Sequence, residues 1–192
     1  MKNILIIAVF LSACFISGSV FAKQESWYTY WSIGKADHTY PGEANDIFNE
    51  IESLPGVERS EVAFDMLGFY VPTSSKNIVG FVISMSADRF AFLDEYVQIN
   101  QYLYGISNIH FTGKEIGDGF FYRLDAGIAK TAISASDQIT LSSDAGMGVL
   151  GALGYSIPIS SETRLLLGAS YSIRSVESEE TSIVTFEIGA LF

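Results

Sequence analysis

The chain has a single cysteine, Cys14, and that residue falls in what reads as a leader, so the mature protein has no disulfide with which to hold itself together. Basic residues are scarce as well: 11 Lys and Arg stand against 22 Asp and Glu, a formal charge of −11. A chain this acidic lacks the electrostatic footprint of a nucleic-acid-binding protein and is repelled by other anionic surfaces. There are only two histidines, and metal binding needs several His, Cys or carboxylates converging. After the leader, no stretch of 18 uninterrupted apolar residues occurs, which excludes a transmembrane helix in the mature chain. What is abundant is apolar and aromatic: 48% hydrophobic residues, with 14 Phe, 10 Tyr and 17 Gly. That composition favours strands and tight turns, and 192 residues suit one domain.

The first residues have the form of a secretory signal. Lys2 supplies the positive start, Ile4 to Phe15 is almost wholly apolar, and Val20-Phe21-Ala22 fits the small-x-small cleavage rule loosely. The expected division is a signal peptide over residues 1–22 and a barrel over 23–192, with Lys23 as the mature start. Leu11-Ser12-Ala13-Cys14 offers a competing reading as a lipoprotein box, against which the apolar run continues through Phe15 and Ile16. Removing the leader, whose only charge is Lys2, leaves 10 basic and 22 acidic residues and a net charge of −12.

The remainder divides into eight stretches of strand character: Trp27–Ala36, Glu61–Pro72, Asn77–Ser86, Gln101–Phe111, Phe120–Lys130, Met147–Ile157, Arg164–Arg174 and Thr181–Phe192. Most are about 10 residues long, the length of a tilted membrane-crossing strand, whereas soluble strands run to about 5 or 6. The connections alternate. Those at residues 37–60, 87–100 and 131–146 are long, and those at 73–76, 112–119 and 158–163 are shorter; the seventh is moderate. An up-and-down barrel has this pattern, with loops outside the cell and turns in the periplasm.

Three strands show two unlike faces. In the last, Ser182, Val184, Phe186, Ile188, Ala190 and Phe192 oppose Thr181, Ile183, Thr185, Glu187, Gly189 and Leu191. In the seventh, Leu165, Leu167, Ala169, Tyr171 and Ile173 oppose Leu166, Gly168, Ser170, Ser172 and Arg174. In the fifth, Phe120, Tyr122, Leu124, Ala126 and Ile128 oppose Phe121, Arg123, Asp125, Gly127 and Ala129. The apolar face meets lipid in a membrane barrel, and the small or polar one fills the lumen. The fourth stretch has no clear polarity, and a bulge there would exchange its faces midway. A short helix is expected in the first loop, where Ala44, Ile47, Phe48, Ile51 and Leu54 recur at helical spacing between Pro41-Gly42 and Pro55-Gly56.

These elements resemble the small eight-stranded outer-membrane β-barrel family, which includes heat-modifiable, adhesion and resistance barrels. The residues that carry the resemblance are the leader ending in Val20-Phe21-Ala22, the run Gly119-Phe120-Phe121-Tyr122-Arg123-Leu124-Asp125-Ala126-Gly127, and the terminal Phe186-Glu187-Ile188-Gly189-Ala190-Leu191-Phe192. The resemblance implies an all-β, antiparallel up-and-down transmembrane barrel. It implies outer-membrane lipid and lipopolysaccharide as surroundings, the outer-membrane assembly machinery as a partner with Phe192 as its signal, and a monomer. It says little about activity, because such barrels host unrelated functions.

Candidate chemistry is thin. His38, beside Asp37, is the one imidazole with access to serines and acids of other loops, the set used by lipid-modifying barrel enzymes. Ser107 and His110 are three apart in a strand and point to opposite faces, so they form no nucleophile–base pair. The loop acids Asp37, Asp88, Asp94, Glu95, Asp137, Asp144, Glu177, Glu179 and Glu180 read as a solvated surface, and Gly113–Gly119 as a turn that lacks the strand-before, helix-after context of a phosphate loop. No catalytic residue, metal or cofactor is expected. The inward charges Asp65, Arg123, Asp125, Arg174 and Glu187 are expected to form an ion-pair network, since an unpaired charge in a narrow lumen is costly. The function expected is non-enzymatic, in envelope integrity or surface interaction. The alternatives are a lipid acyl hydrolase or transferase, or a narrow channel for small solutes.

Overall fold

A computed structural model describes residues 26–135 and 138–192. The expected signal peptide, with Cys14, and Asp137 lie outside the described residues.

The strands are β1 (Tyr28–Thr39), β2 (Val57–Ser74), β3 (Asn77–Phe92), β4 (Glu95–Phe111), β5 (Gly119–Ala135), β6 (Gln138–Ser142), β7 (Gly146–Pro158), β8 (Arg164–Val176) and β9 (Glu179–Leu191); one helix, α1 (Glu43–Glu52), joins β1 to β2. Eight of them form a closed antiparallel barrel: the sheet runs β4-β3-β2-β1-β9-β8-β7-β5, and β4 pairs with β5 to complete the ring. Closure removes every free edge, so all backbone groups of the wall find partners without water. The short β6 is an addition that pairs with the upper part of β5 beyond the point where β7 ends.

The outward face is apolar. Trp31, Phe69, Phe81, Leu124, Leu153, Phe186 and Ile188 are all exposed. An apolar surface so extensive on a closed ring is stable against lipid, not water. At the end that carries α1 this belt stops. Lys35, Asp37, Ser60, Arg89 and Lys130 are exposed there, and Gln98 and Asn100 hydrogen-bond along the outer wall. This end is called the loop end; the other, where the first and last strands meet through Thr29 and Phe192, is the turn end.

Two expectations need correction. The long connections at 87–100 and 131–146 are not loops. β3 and β4 continue past the belt to a two-residue turn at Leu93-Asp94, and β5 continues into a hairpin with β6. The moderate seventh connection is likewise a two-residue turn, Glu177-Ser178, with both residues at positive φ (52 and 71°). Neither turn carries the Asn-Gly signature of such hairpins, and bilayer thickness fixes only the membrane-crossing part of a strand, not its projection beyond. The loop end is therefore a crown of projecting hairpins.

The fourth strand contains no bulge. Its register against both neighbours is continuous, with Leu103, Ser107, Ile109 and Phe111 inward and Tyr104 and Ile106 outward. It looks unpolarised because the lumen itself is apolar at the turn end. Tyr30, Tyr70, Ile78, Ile109, Phe111, Phe121, Leu166 and Leu191 form a buried cluster there. The rings lie against glycines: a Cβ on Gly68, two residues before Tyr70 on the same strand, would come within 2.7 Å of the Tyr70 ring, and one on Gly189 of neighbouring β9 within 2.9 Å of the Tyr30 ring.

The bulge is in β2 instead. Asp65 pairs with Ser32 and Ser84, and the next paired residue is displaced by the extra Met66. Met66 and Leu67 both face outward. Counting inward positions back from Tyr70 by strict alternation would place Asp65 on the lipid side; the extra residue turns it into the lumen.

Candidate functional site

The lumen charges sit just above the apolar cluster. Arg123 on β5 is 1% exposed. Its Nε donates to both oxygens of Asp125, at 3.0 and 2.9 Å, and Nη1 and Nη2 donate to the two oxygens of Asp65 across the barrel, Nη2 at 3.2 Å. The guanidinium also stands over the Tyr30 ring, 5.3 Å from its centroid. Ser32 links the third acid: its Oγ lies 2.9 Å from Asp65 and 3.0 Å from Glu187. Glu187 thus joins the network through a hydroxyl, and among the described residues it makes no direct ion pair.

Arg174 departs from the expected network. It makes no ion pair among the described residues. β8 places it opposite Gly148, while Asp125 lies opposite Leu150, a two-residue step nearer the turn end. At that height Arg174 donates through Nη1 to the Gln101 carbonyl and meets Ser84 Oγ at 3.5 Å, and its Nε has no partner among the described residues. Below Arg174 the lumen holds a void of about 10 Å³, lined by Asp65, Ser84, Ser86, Ser172, Arg174 and Glu187.

A second polar cluster, beyond the outward belt, fixes α1 to the rim. His38 is buried on β1, and Glu61 Oε1 accepts from both its backbone N–H (2.8 Å) and its ring Nδ1 (2.9 Å). Arg59 donates to Glu61 (3.1 Å), to both oxygens of the fully buried Asp88 (3.0 and 2.9 Å) and to Glu52 of α1 (3.0 Å). Tyr40 OH donates to Asp88 at 3.0 Å. Phe48 of α1 packs edge-on against Tyr40 and stacks on Phe90. Of the helix's apolar stripe, Ala44, Phe48 and Ile51 are half-buried while Ile47 and Leu54 stay exposed.

Burial raises the Glu61 carboxyl, but the two His38 hydrogen bonds and the Arg59 charge outweigh it and hold the group below the usual carboxylate range. Stability from this pairing is present above the ordinary glutamate pKa and is lost as pH falls through the lowered value. Arg59→Ala is expected to leave Asp88 buried and unpaired and to release α1. Limited proteolysis should then cut within residues 41–56 of the variant and spare the wild type, with the barrel's heat-dependent gel shift retained. Resistance equal to wild type would refute the anchoring role.

One ligand atom each from His38, Glu61 and Asp88 lie within 4.8 Å of one another, the spacing of a cation site. Arg59 already stands against both carboxylates as their cation. His38 Nε2 is buried without a hydrogen-bond partner among the described residues, so no serine hydroxyl is joined to it. His110 is stacked on Tyr122 with centroids 5.0 Å apart, and Ser107, inside, accepts from Tyr70 OH at 2.9 Å. A Ser–His–acid arrangement is not assembled among these residues. The rim cluster left one trace in the sequence, His38 with an acid beside it; its real partners are strand residues, Glu61 and Asp88, that only sheet register brings together.

Above Arg174 the barrel opens into a mouth cavity of about 570 Å³, between α1 on one side and the β5–β6 hairpin on the other.

No family model and no curated protein matches the chain. Solved structures resemble it in fold. Ail, the attachment invasion locus protein of Yersinia pestis, is 14% identical over 88% of this chain and 100% of its own, with a TM-score of 0.44. Neisserial surface protein A is 14% identical over 87% of this chain and 96% of its own, at 0.47. The N-terminal β-barrel domain of Pseudomonas aeruginosa OprF is 13% identical over 88% and 98%, at 0.44.

Proposed function

We propose that this chain is a non-enzymatic, non-conducting barrel of the bacterial outer membrane that acts through its loop end, in surface interaction or envelope integrity. The observation that carries the reading is the sealed lumen. An aromatic cluster closes the turn end, the Arg123 network lies above it, and the void lined by Asp65, Glu187 and Arg174 is about 10 Å³, near the size of one water molecule. Eight strands enclose only enough width for side chains. The crown of hairpins and the anchored α1 supply a rigid outer surface instead.

Lipopolysaccharide suits the outer wall, because Lys35, Arg89 and Lys130 stand exposed on three strands at the edge of the apolar belt, where lipid phosphates would lie. Phe192, outward and paired with Thr29 at the closing seam, is read as the assembly signal. In fractionation the mature protein should be found in the outer membrane, with slower gel mobility after heating. Reconstituted into planar bilayers, it should give no stepwise conductance. Recovery as a soluble periplasmic protein would overturn the location, and reproducible unit conductance would overturn the sealed-barrel reading in favour of a channel.

A further inference from the structure

The mouth cavity has an unusual floor. Arg174 is 2% exposed and lines it, yet it has no carboxylate partner among the described residues. One of its five N–H donors is engaged by the Gln101 carbonyl, a second reaches Ser84 only at 3.5 Å, and Nε has no acceptor among the described residues. Asp65 and Glu187 line the void beneath it, yet neither stands in ion-pair contact with it, and a buried guanidinium without a direct anionic partner is costly to keep. The floor around it is held in place: Thr131 donates to Gln101 Oε1 at 3.0 Å, and Gln101 supplies the carbonyl that accepts from Arg174.

Above the floor the walls are largely apolar. Phe48 of α1, the cross-strand neighbours Ile99 and Ile133, Leu141 and Val176 line them. The volume of about 570 Å³ is within the range of small-molecule sites. At the entrance stand Glu43, Glu177 and Glu179, on a protein of net charge −11. Such a rim repels polyanions at long range, whereas a single charge on an apolar chain is repelled far less.

We propose that the mouth cavity binds a long-chain fatty acid, with its carboxylate on Arg174 and its chain between Phe48 and the β5–β6 hairpin. The planar guanidinium fork matches a carboxylate, and the apolar walls take the chain out of water.

The probe is palmitic acid bearing a diazirine near the end of its chain, added to the full-length protein in outer-membrane vesicles and mapped by mass spectrometry after irradiation. Adducts are expected on residues 40–48 or 131–143. Excess palmitate should suppress them and methyl palmitate should not, because the ester has no charge for Arg174. Arg174→Gln should weaken the competed labelling about tenfold or more, the value of a charge-assisted hydrogen bond. Leu141→Glu, at an exposed position that does not threaten folding, should weaken it too by placing an acid in the chain's path. The heat-dependent gel shift reports folding of each variant; if Arg174→Gln fails it, the ester comparison and Leu141→Glu decide. Adducts confined to the outward belt around Leu124 and Ile188, equal competition by the methyl ester, or wild-type labelling in folded variants would overturn the proposal. Conductance is a separate measurement, so this proposal and the sealed-barrel reading fail independently.

Discussion

Arg123→Leu is expected to destabilise the barrel by roughly 3–5 kcal/mol, the cost of removing one partner from a buried ion pair. The loss comes less from the missing attraction than from what is left behind. Asp65 and Asp125 would remain buried without their ion-pair partner, since Arg174, although it lines the same void as Asp65, pairs with neither among the described residues. Urea unfolding of the refolded protein in lipid measures the effect. The triple variant Arg123→Leu, Asp65→Asn, Asp125→Asn should recover most of the loss, because it removes the stranded charges as well. A single variant as stable as wild type, or a triple variant no better than the single, would show that the network is not what holds these strands together.

Deleting Met66 should have a still larger effect on assembly. Met66 is the extra residue of the β2 bulge, and without it one part of the strand must slip by one position. A slip of one residue exchanges the faces of everything on that side. Either Asp65 turns toward lipid and Arg123 loses a partner, or Tyr70 and Gly68 leave the lumen and the aromatic cluster opens. The assembled fraction, read from the heat-dependent gel shift, is expected to collapse. Met66→Ala keeps the residue count and alters only an outward side chain that is 60% exposed, so it should assemble nearly as wild type. Normal assembly of the deletion would mean that Asp65 does not depend on the bulge for its place inside.

Much of the architecture can be read from the chain itself. Alternation at period 2 is a local property, and in the fifth, seventh and last strands of the barrel it sorts the same residues to lipid and lumen as the structure does: Phe121, Arg123, Leu166, Ser172, Thr185 and Leu191 are inside. Helical spacing with flanking Pro-Gly pairs marks α1 for the same reason. The apolar and aromatic excess, with no long apolar run, already requires a barrel if the chain is to cross a membrane.

What the tertiary structure decided depends on residues that are distant in the chain. Whether Asp65 faces lipid or lumen turns on one extra residue whose register is set by β1 and β3 together. Whether Arg174 finds a carboxylate depends on relative height along tilted strands, and no local pattern encodes that. The fourth strand carries apolar residues on both faces because the lumen changes from polar to apolar along its length, as the inward side chains of all eight strands together dictate. The rim site follows the same rule: His38, Arg59, Glu61 and Asp88 come from three strands, and cross-strand pairing alone makes neighbours of residues up to 50 positions apart.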